Sequence, residues 1–87
     1  MNTHGILGEQ TTYEGLVVAI LDEGQSTYRI QIVDGLEQFS STCAGYTQAG
    51  IRERATELAY AYLLKRDGTA QKPTHELLWR PIRIEIV

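Results

Sequence analysis

Residues 48–66 have the sequence QAGIRERATELAYAYLLKR, in which apolar side chains recur with the period of an α-helix. At about 100° per residue, one stripe of this helix collects the apolar and small residues Ile51, Ala55, Leu58, Ala59 and Tyr62. We expect the stripe to pack against a sheet, because a helix with one apolar stripe is stable only when that stripe is buried. Thr47 is the predicted N-cap, with Gly50 as the alternative cap of a later start, and Gly68 is the predicted left-handed residue that ends the helix.

The same helix carries apolar side chains on the side that is predicted to face water. Tyr60 and Leu64 lie nearly opposite the stripe, close to Glu53 and Glu57. Isolated apolar residues are common on solvated helices, and Leu64 could tuck under the following linker. The alternative is that Tyr60 and Leu64 anchor another protein while the two acids attract it. The predicted partner-binding residues are therefore Glu53, Glu57, Tyr60 and Leu64.

Three predicted strands precede the helix. Residues 16–21 form a short apolar run rich in β-branched side chains, which is typical of a strand buried on both faces. Residues 28–33 alternate apolar and polar side chains, and the dipeptide Asp34-Gly35 predicts a two-residue hairpin with positive φ at both positions. Residues 36–42 should then return antiparallel, which makes a three-stranded meander.

The two ends of the chain differ in their predicted structure. Residues 1–12 are rich in Gly and polar side chains without periodicity, which indicates a loose amino-terminal arm. After a polar linker at residues 69–74, Ile82, Ile84 and Ile86 alternate with charged residues, as in a strand. This last strand is expected to close the sheet or to join two copies of the chain. The three isoleucines are therefore the predicted oligomer interface.

The order β-β-β-α-β predicts an α+β domain with a four-stranded, mainly antiparallel sheet and one helix packed on one face. A chain of 87 residues has room for one core, so residues 1–87 are predicted to form a single domain whose folded part is residues 13–87. Because residues 16–21 are apolar on both sides, part of the uncovered face should be buried by a second subunit. We expect a homodimer or a higher homo-oligomer.

Composition limits the possible functions. Eight Lys and Arg against eleven Asp and Glu give a net charge of −3, which favours a basic protein partner over unaided binding to nucleic acid. The sequence contains neither an apolar run long enough for a membrane span nor the pattern of a signal peptide. Cys43 is the single cysteine, which fits the reducing cytoplasm, so we expect a cytoplasmic protein without contact to a membrane.

No group of residues predicts catalysis, a cofactor or a metal. Cys43 could pair with His4 or His75 as a nucleophile and base, but a buried structural cysteine and two solvated histidines explain these residues better. Asp22 and Asp34 fall in predicted turns, where Asp is common because of its local hydrogen bonds. We therefore expect a protein that is not an enzyme and that has no catalytic, cofactor-binding or metal-binding residues.

Several short motifs follow one another over residues 13–64: Tyr13, Asp22-Glu23-Gly24, the alternating segment at residues 28–34, and Gly45-Tyr46-Thr47 before a helix with Ala55 and Glu57. In this order they resemble the HicB-like antitoxin family, and the final Ile-rich strand also fits. The chain departs from the family where Val33-Asp34-Gly35-Leu36 lacks its proline and where Gly50-Ile51 replaces an acidic-Ala pair. The resemblance implies a truncated RNase H-like fold without nuclease chemistry, dimerisation, and inhibition of a small basic HicA-like toxin that cleaves RNA.

Three functions are open on the sequence. The first is a non-enzymatic binding protein that neutralises a small basic toxin by occlusion, as in the HicB-like family. The second is a homo-oligomeric scaffold or mobile-element accessory protein, in which the same surface binds only a second copy. The third is a small RNA-binding module, for which Lys72, Trp79, Arg80 and Arg83 offer a basic and aromatic patch, although the net acidity argues against it.

Overall fold

Five strands and one helix make up the chain in the computed structural model, which describes the backbone of residues 3–86 and the side chains of residues 8–82. Their bounds are β1 Thr3–Tyr13, β2 Leu16–Gly24, β3 Thr27–Asp34, β4 Glu37–Ala44, α1 Gln48–Asp67 and β5 Arg80–Ile86. The strands form one antiparallel sheet in the order β4-β3-β2-β1-β5. The predicted α+β class, with one helix on an antiparallel sheet, is confirmed.

The sheet has five strands instead of the predicted four, because β1 occupies most of the predicted loose arm. Residues 3–12 belong to this strand, which pairs with β2 on one side and β5 on the other. The prediction of a loose arm is therefore wrong for these residues. The sequence of β1 does not show the alternating pattern of a strand, because its helix-facing positions include the polar residues Glu9 and Thr11. Those side chains lie opposite Ile20 and Val18 of β2, on the face that the helix covers.

The core lies between α1 and the face formed by β2 and β3. Its fully buried side chains from the sheet are Leu16, Val18, Ile20, Ile30 and Ile32. From the helix, the residues Ile51, Ala55, Ala59 and Leu63 are buried. Leu63, only 3% exposed, was missing from the predicted stripe, whereas Leu58 and Tyr62 of that stripe are only partly buried at its margin. The two alanines let the helix approach closely along the i, i+4 line that continues to Leu63.

Strand β2 is buried along its helix face, but on the opposite face only Ala19 is buried, so the prediction of burial on both faces holds only in part. Leu16, Val18 and Ile20 are buried beneath the helix, but Val17 on the opposite face is 37% exposed and Leu21 is half-buried. The uncovered face therefore keeps some apolar surface in the single chain. Its burial by a second subunit stays a prediction.

The helix begins and ends as predicted. The Thr47 hydroxyl oxygen accepts a hydrogen bond from the Gly50 amide at 3.1 Å, which satisfies one amide of the first turn. At the other end Gly68 has φ +79° and its amide donates to the Leu64 carbonyl at 2.8 Å. A left-handed residue is favourable at this position when it is glycine.

The predicted hairpin is present, with its turn one residue later than predicted. Asp34 pairs with Glu37, so the two turn residues are Gly35 and Leu36. Only Gly35 has positive φ, at +60°, as in a type II′ turn instead of the expected type I′. The last predicted strand is also present as β5, at the sheet edge beside β1.

The predicted oligomer interface lies on β5. Ile82 pairs with Gly8 of β1 and its side chain is half-buried. Ile84 and Ile86 continue the same pairing, but their side chains lie outside the described residues. Their role between subunits stays a prediction.

Candidate functional site

A groove of about 750 Å³ lies along one side of α1. Its opposite wall is the irregular segment at residues 69–79, which we call the connecting segment. The helix side of the groove is lined by Ala49, Arg52, Glu53, Thr56, Glu57 and Tyr60. The connecting segment contributes Lys72, Pro73, Thr74, His75, Glu76, Leu77 and Trp79. We call this cavity the helix groove.

The connecting segment is held in place by contacts with residues distant in sequence. The hydroxyl of Tyr13, a nearly buried residue of β1, donates to the Gln71 carbonyl. Burial raises the pKa of Tyr13, so the hydroxyl remains a donor at neutral pH. Lys72 Nζ lies 5.4 Å from the centroid of the Tyr60 ring, within the range of a cation–π contact. Leu77 and Trp79 pack against the core.

Arg52 and Glu9 fasten the beginning of the helix to β1. Arg52 Nε and one terminal nitrogen each lie 2.5 Å from a Glu9 carboxylate oxygen, and Gln48 donates to the same carboxylate at 3.2 Å. The Glu9 side chain is only 15% exposed. The hydrogen bond from Arg52 lowers the pKa of Glu9 despite its burial. A bidentate, partly buried ion pair of this kind fixes the orientation of Arg52 at the groove wall.

Glu9→Gln should lower the free energy of unfolding by about 1–2 kcal/mol at neutral pH, because it removes the charge from these hydrogen bonds. The pKa of Glu9 is lower in the folded chain, so its contribution is present above the unfolded pKa and is lost as pH falls through the folded pKa. Urea unfolding at about pH 7 and about pH 3 should therefore show a difference between variant and wild type that shrinks in acid.

The control for this prediction is Glu23→Gln. Glu23 pairs with Arg29 at 2.7 Å, but both side chains are more than a third exposed. We expect this change to cost less than about 0.5 kcal/mol. A Glu9→Gln variant that matches wild type at neutral pH, or that differs from it equally in acid, would contradict the assigned role of the pair.

The helix groove presents carboxylates and aromatic rings. Glu53 and Glu76 are exposed at its walls, and Glu57 is only loosely paired, with Arg54 Nη1 at 3.4 Å. Of the two permanent cations in the groove lining, Arg52 is paired with Glu9, whereas Lys72 lies over the uncharged Tyr60 ring and keeps its charge. The arrangement therefore suits a cationic and partly apolar ligand.

The structure brings together three of the four predicted partner-binding residues. Glu53, Glu57 and Tyr60 all line the helix groove, whereas Leu64 is 37% exposed and lies outside its lining. Tyr60 does not sit on an open helix surface as predicted, but is half-buried because the connecting segment folds back beside it. The second wall was missed in the sequence. Its one available signal was Trp79, an aromatic residue following a polar, Pro-containing segment.

Two of the four residues of the predicted basic and aromatic patch belong to the helix groove. Lys72 and Trp79 line the helix groove together with carboxylates, and Arg80 is exposed at the start of β5. The side chain of Arg83, the fourth member, lies outside the described residues.

A second polar cluster fastens the β3–β4 hairpin to the helix. The Tyr62 hydroxyl donates to Asp34 Oδ2 at 2.8 Å, and Arg66 donates to the same oxygen at 3.0 Å. These bonds lower the pKa of Asp34, and the Asp34 carboxylate raises the pKa of Tyr62 to about 12. Asp34 thus connects the turn to the helix. Within the part of the chain whose side chains are described, no group of three or more His, Cys, Asp or Glu could hold a metal ion.

No protein-family model, curated protein or solved structure matches this chain. The likeness to the HicB-like family therefore stays a resemblance of sequence motifs. Within the described residues, α1 is too polar to cross a membrane.

Proposed function

We propose that this chain is a non-enzymatic binding protein that neutralises a small basic protein by covering its surface, in the manner of a HicB-like antitoxin. The observation that carries the proposal is the helix groove, which is lined by carboxylates from both walls together with Tyr60, Leu77 and Trp79. Its volume of about 750 Å³ is in the range of sites that enclose a ligand group. The partner expected for it is a small basic HicA-like toxin.

The charges of the groove support a cationic occupant. Glu53 and Glu76 face solvent, and the charge of Arg52 is offset by Glu9, so the three groove carboxylates outnumber the remaining permanent cation, Lys72. The net charge of −3 adds a long-range attraction for a basic protein. Such complementarity raises the association rate and selects against acidic partners.

The aromatic residues of the groove support a protein occupant. Tyr and Trp are over-represented among residues that carry most of the binding energy at protein interfaces, and Tyr60 and Trp79 lie on opposite walls. A Lys or Arg side chain of the partner that enters between them would take the place of Lys72 on the Tyr60 ring, with its stem on the aromatic surface and its charge near a carboxylate. Leu64, exposed one turn beyond Tyr60, extends the apolar surface along the helix.

The double variant Tyr60→Ser, Leu64→Gln should weaken binding of the basic partner by about 2 kcal/mol or more, or roughly thirtyfold, because it removes both anchors. Isothermal titration calorimetry with the purified partner measures this change. The matched control is Leu36→Gln, since Leu36 is fully exposed at the β3–β4 turn and does not line the groove. Its affinity should equal that of wild type.

Thermal melting separates loss of binding from loss of folding in the double variant. Neither residue belongs to the buried core, so we expect only a small fall in melting temperature, from the lost contact between Tyr60 and Lys72. Unchanged affinity would overturn the anchor role. A fall in melting temperature as large as that of a core variant would show that Tyr60 is structural.

The reading frames beside this one test the identity of the partner. The proposal expects a short neighbouring frame that encodes a small basic RNA-cleaving protein. Expression of that protein alone should arrest growth, and co-expression of this chain should restore it. A neighbourhood without such a frame, or growth arrest that this chain does not relieve, would contradict the antitoxin proposal. The homo-oligomeric scaffold or mobile-element accessory protein is then the better proposal.

A further inference from the structure

Strand β4 is an unprotected edge of the sheet. It pairs with β3 over its whole length without a register shift, and its other side has no neighbouring strand among the described residues. Natural edge strands are usually protected by Pro, Lys, bulges or short length. The sequence of β4, EQFSSTCA, contains none of these, and the strand is eight residues long and mostly exposed. The opposite edge, β5, by contrast carries Arg80 and Pro81 and pairs with a register shift.

Every second residue of β4 directs its backbone groups away from β3. The two-residue turn closes on Asp34 and Glu37 as a hydrogen-bonded pair, and the pairs alternate from there along an antiparallel ladder. The residues whose amide and carbonyl point to the free edge are Gln38, Ser40, Thr42 and Ala44. The amide and carbonyl groups of these residues are in position to form hydrogen bonds with another strand.

We propose that β4 pairs antiparallel with β4 of a second copy of this chain, with the two Ser41 residues facing each other at the two-fold axis. This register places Ser40 opposite Thr42 of the other copy and Phe39 opposite Cys43. Two observations select a second copy as the occupant. The first is that two copies of the strand do not repel each other in this register, since the one charged residue of β4, Glu37, falls opposite Gly45 and not opposite a like charge.

The second observation is the exposure of Phe39. The helix packs over β2 and β3 and leaves β4 at its margin, so the Phe39 ring is 45% exposed on the helix side of the sheet. The register centred on Ser41 brings this ring against Cys43 of the second copy, which is itself half-buried. A register centred on Ser40 would instead place Phe39 opposite Ser41 of the second copy, so the ring would have no apolar neighbour across the pair.

The pairing is independent of the helix groove, so the two proposals can fail separately. It also differs from the predicted interface at Ile82, Ile84 and Ile86, which lies at the opposite edge of the sheet. A dimer through β4 joins two five-stranded sheets into one and leaves both helix grooves open to partners.

Ser40→Pro is the variant that removes one bond of the proposed ladder. Pro lacks the amide hydrogen that points to the free edge, and it is tolerated on edge strands in this orientation. Sedimentation between about 1 and 100 µM should show that the wild type is a dimer and that the dissociation constant of the dimer is at least about tenfold higher in the variant. Ser40→Ala, which keeps the amide hydrogen, should sediment as wild type. Circular dichroism should show that the Ser40→Pro variant remains folded.

Cysteine cross-linking tests the register, because Cys43 is the only native thiol. In a Cys43→Ser background, Ser41→Cys should give a disulfide-linked dimer on mild oxidation, since the two residues face each other at about 4.5 Å between Cα atoms. Gln38→Cys in the same background is the control, because its two copies lie far apart in this register and should not cross-link.

A wild type that is monomeric across the concentration range would overturn the proposal, whether or not β4 accepts a strand from another protein. A dimer that Ser40→Pro leaves unchanged would also overturn the proposal. If Ser40→Pro unfolds the chain, failure of Ser41→Cys to cross-link would overturn it instead. Equal cross-linking of Gln38→Cys and Ser41→Cys would overturn the register.

Discussion

Leu63→Ala should lower the free energy of unfolding by about 2–4 kcal/mol, whereas Leu64→Ala should lower it by less than about 1 kcal/mol. The two leucines are neighbours in the same helix and differ in burial. Leu63 is 3% exposed within the core, and Leu64 is 37% exposed. Truncating Leu63 removes buried apolar surface and leaves a cavity beneath the helix, while truncating Leu64 removes surface that is partly hydrated already.

Urea unfolding of both leucine variants measures the difference, with the denaturant slope checked against wild type. Because the same atoms are deleted in both, differences in helix propensity cancel. Equal losses, or a larger loss for Leu64→Ala, would show that the helix is rotated from the orientation described and that the predicted stripe without Leu63 was correct.

Gly8→Ala should cost about 3 kcal/mol or more, at or above the upper end of the usual range for overpacking. A Cβ at Gly8 would lie 1.9 Å from the Ile20 carbonyl oxygen and 2.9 Å from the Leu21 Cα. Both neighbours are backbone atoms, so a rotamer change cannot relieve the overlap, and β1 must move away from β2. Since β1 also pairs with β5, that movement disturbs two ladders.

The control for Gly8 is Gly15→Ala in the turn between β1 and β2. Gly15 has φ +81° and no heavy atom within 4 Å of an added Cβ, so this substitution costs backbone strain alone, about 1 kcal/mol. Thermal and urea unfolding should rank the variants in that order. A Gly8→Ala chain as stable as wild type would mean that β1 does not pair with β2 in the register described.

Strands β2 to β4 and the helix could be predicted because their signals are local. Alternating side chains, an Asp-Gly turn and a Thr47 cap are read within a few residues, and each corresponds to an element of the structure. Leu63 was missed for a geometric reason, because a stripe inferred from apolar residues alone includes large side chains at its margin, such as Tyr62. That residue reaches past the core to Asp34.

Strand β1 could not be predicted because its stability depends on distant partners. Its helix-facing Glu9 has the character of a solvated loop residue, and its burial is favourable because Arg52, 43 positions later, and Gln48 donate to its carboxylate. The second wall of the helix groove has the same origin. The course of the connecting segment depends on Tyr13 and Gln71, 58 positions apart, and on Lys72 over Tyr60. Local patterns in a single sequence do not show which distant residues will contact each other.

Binding of a basic protein in the helix groove can be observed residue by residue by NMR titration of the ¹⁵N-labelled chain with the neighbouring basic protein. At 9.8 kDa the chain gives resolvable amide signals. We expect the largest shift changes on residues 49–64 and 72–79, greatly reduced in the Tyr60→Ser, Leu64→Gln variant, if the groove is the binding site. Shift changes concentrated on β4 or on the uncovered face of the sheet, with the groove signals unmoved, would contradict it.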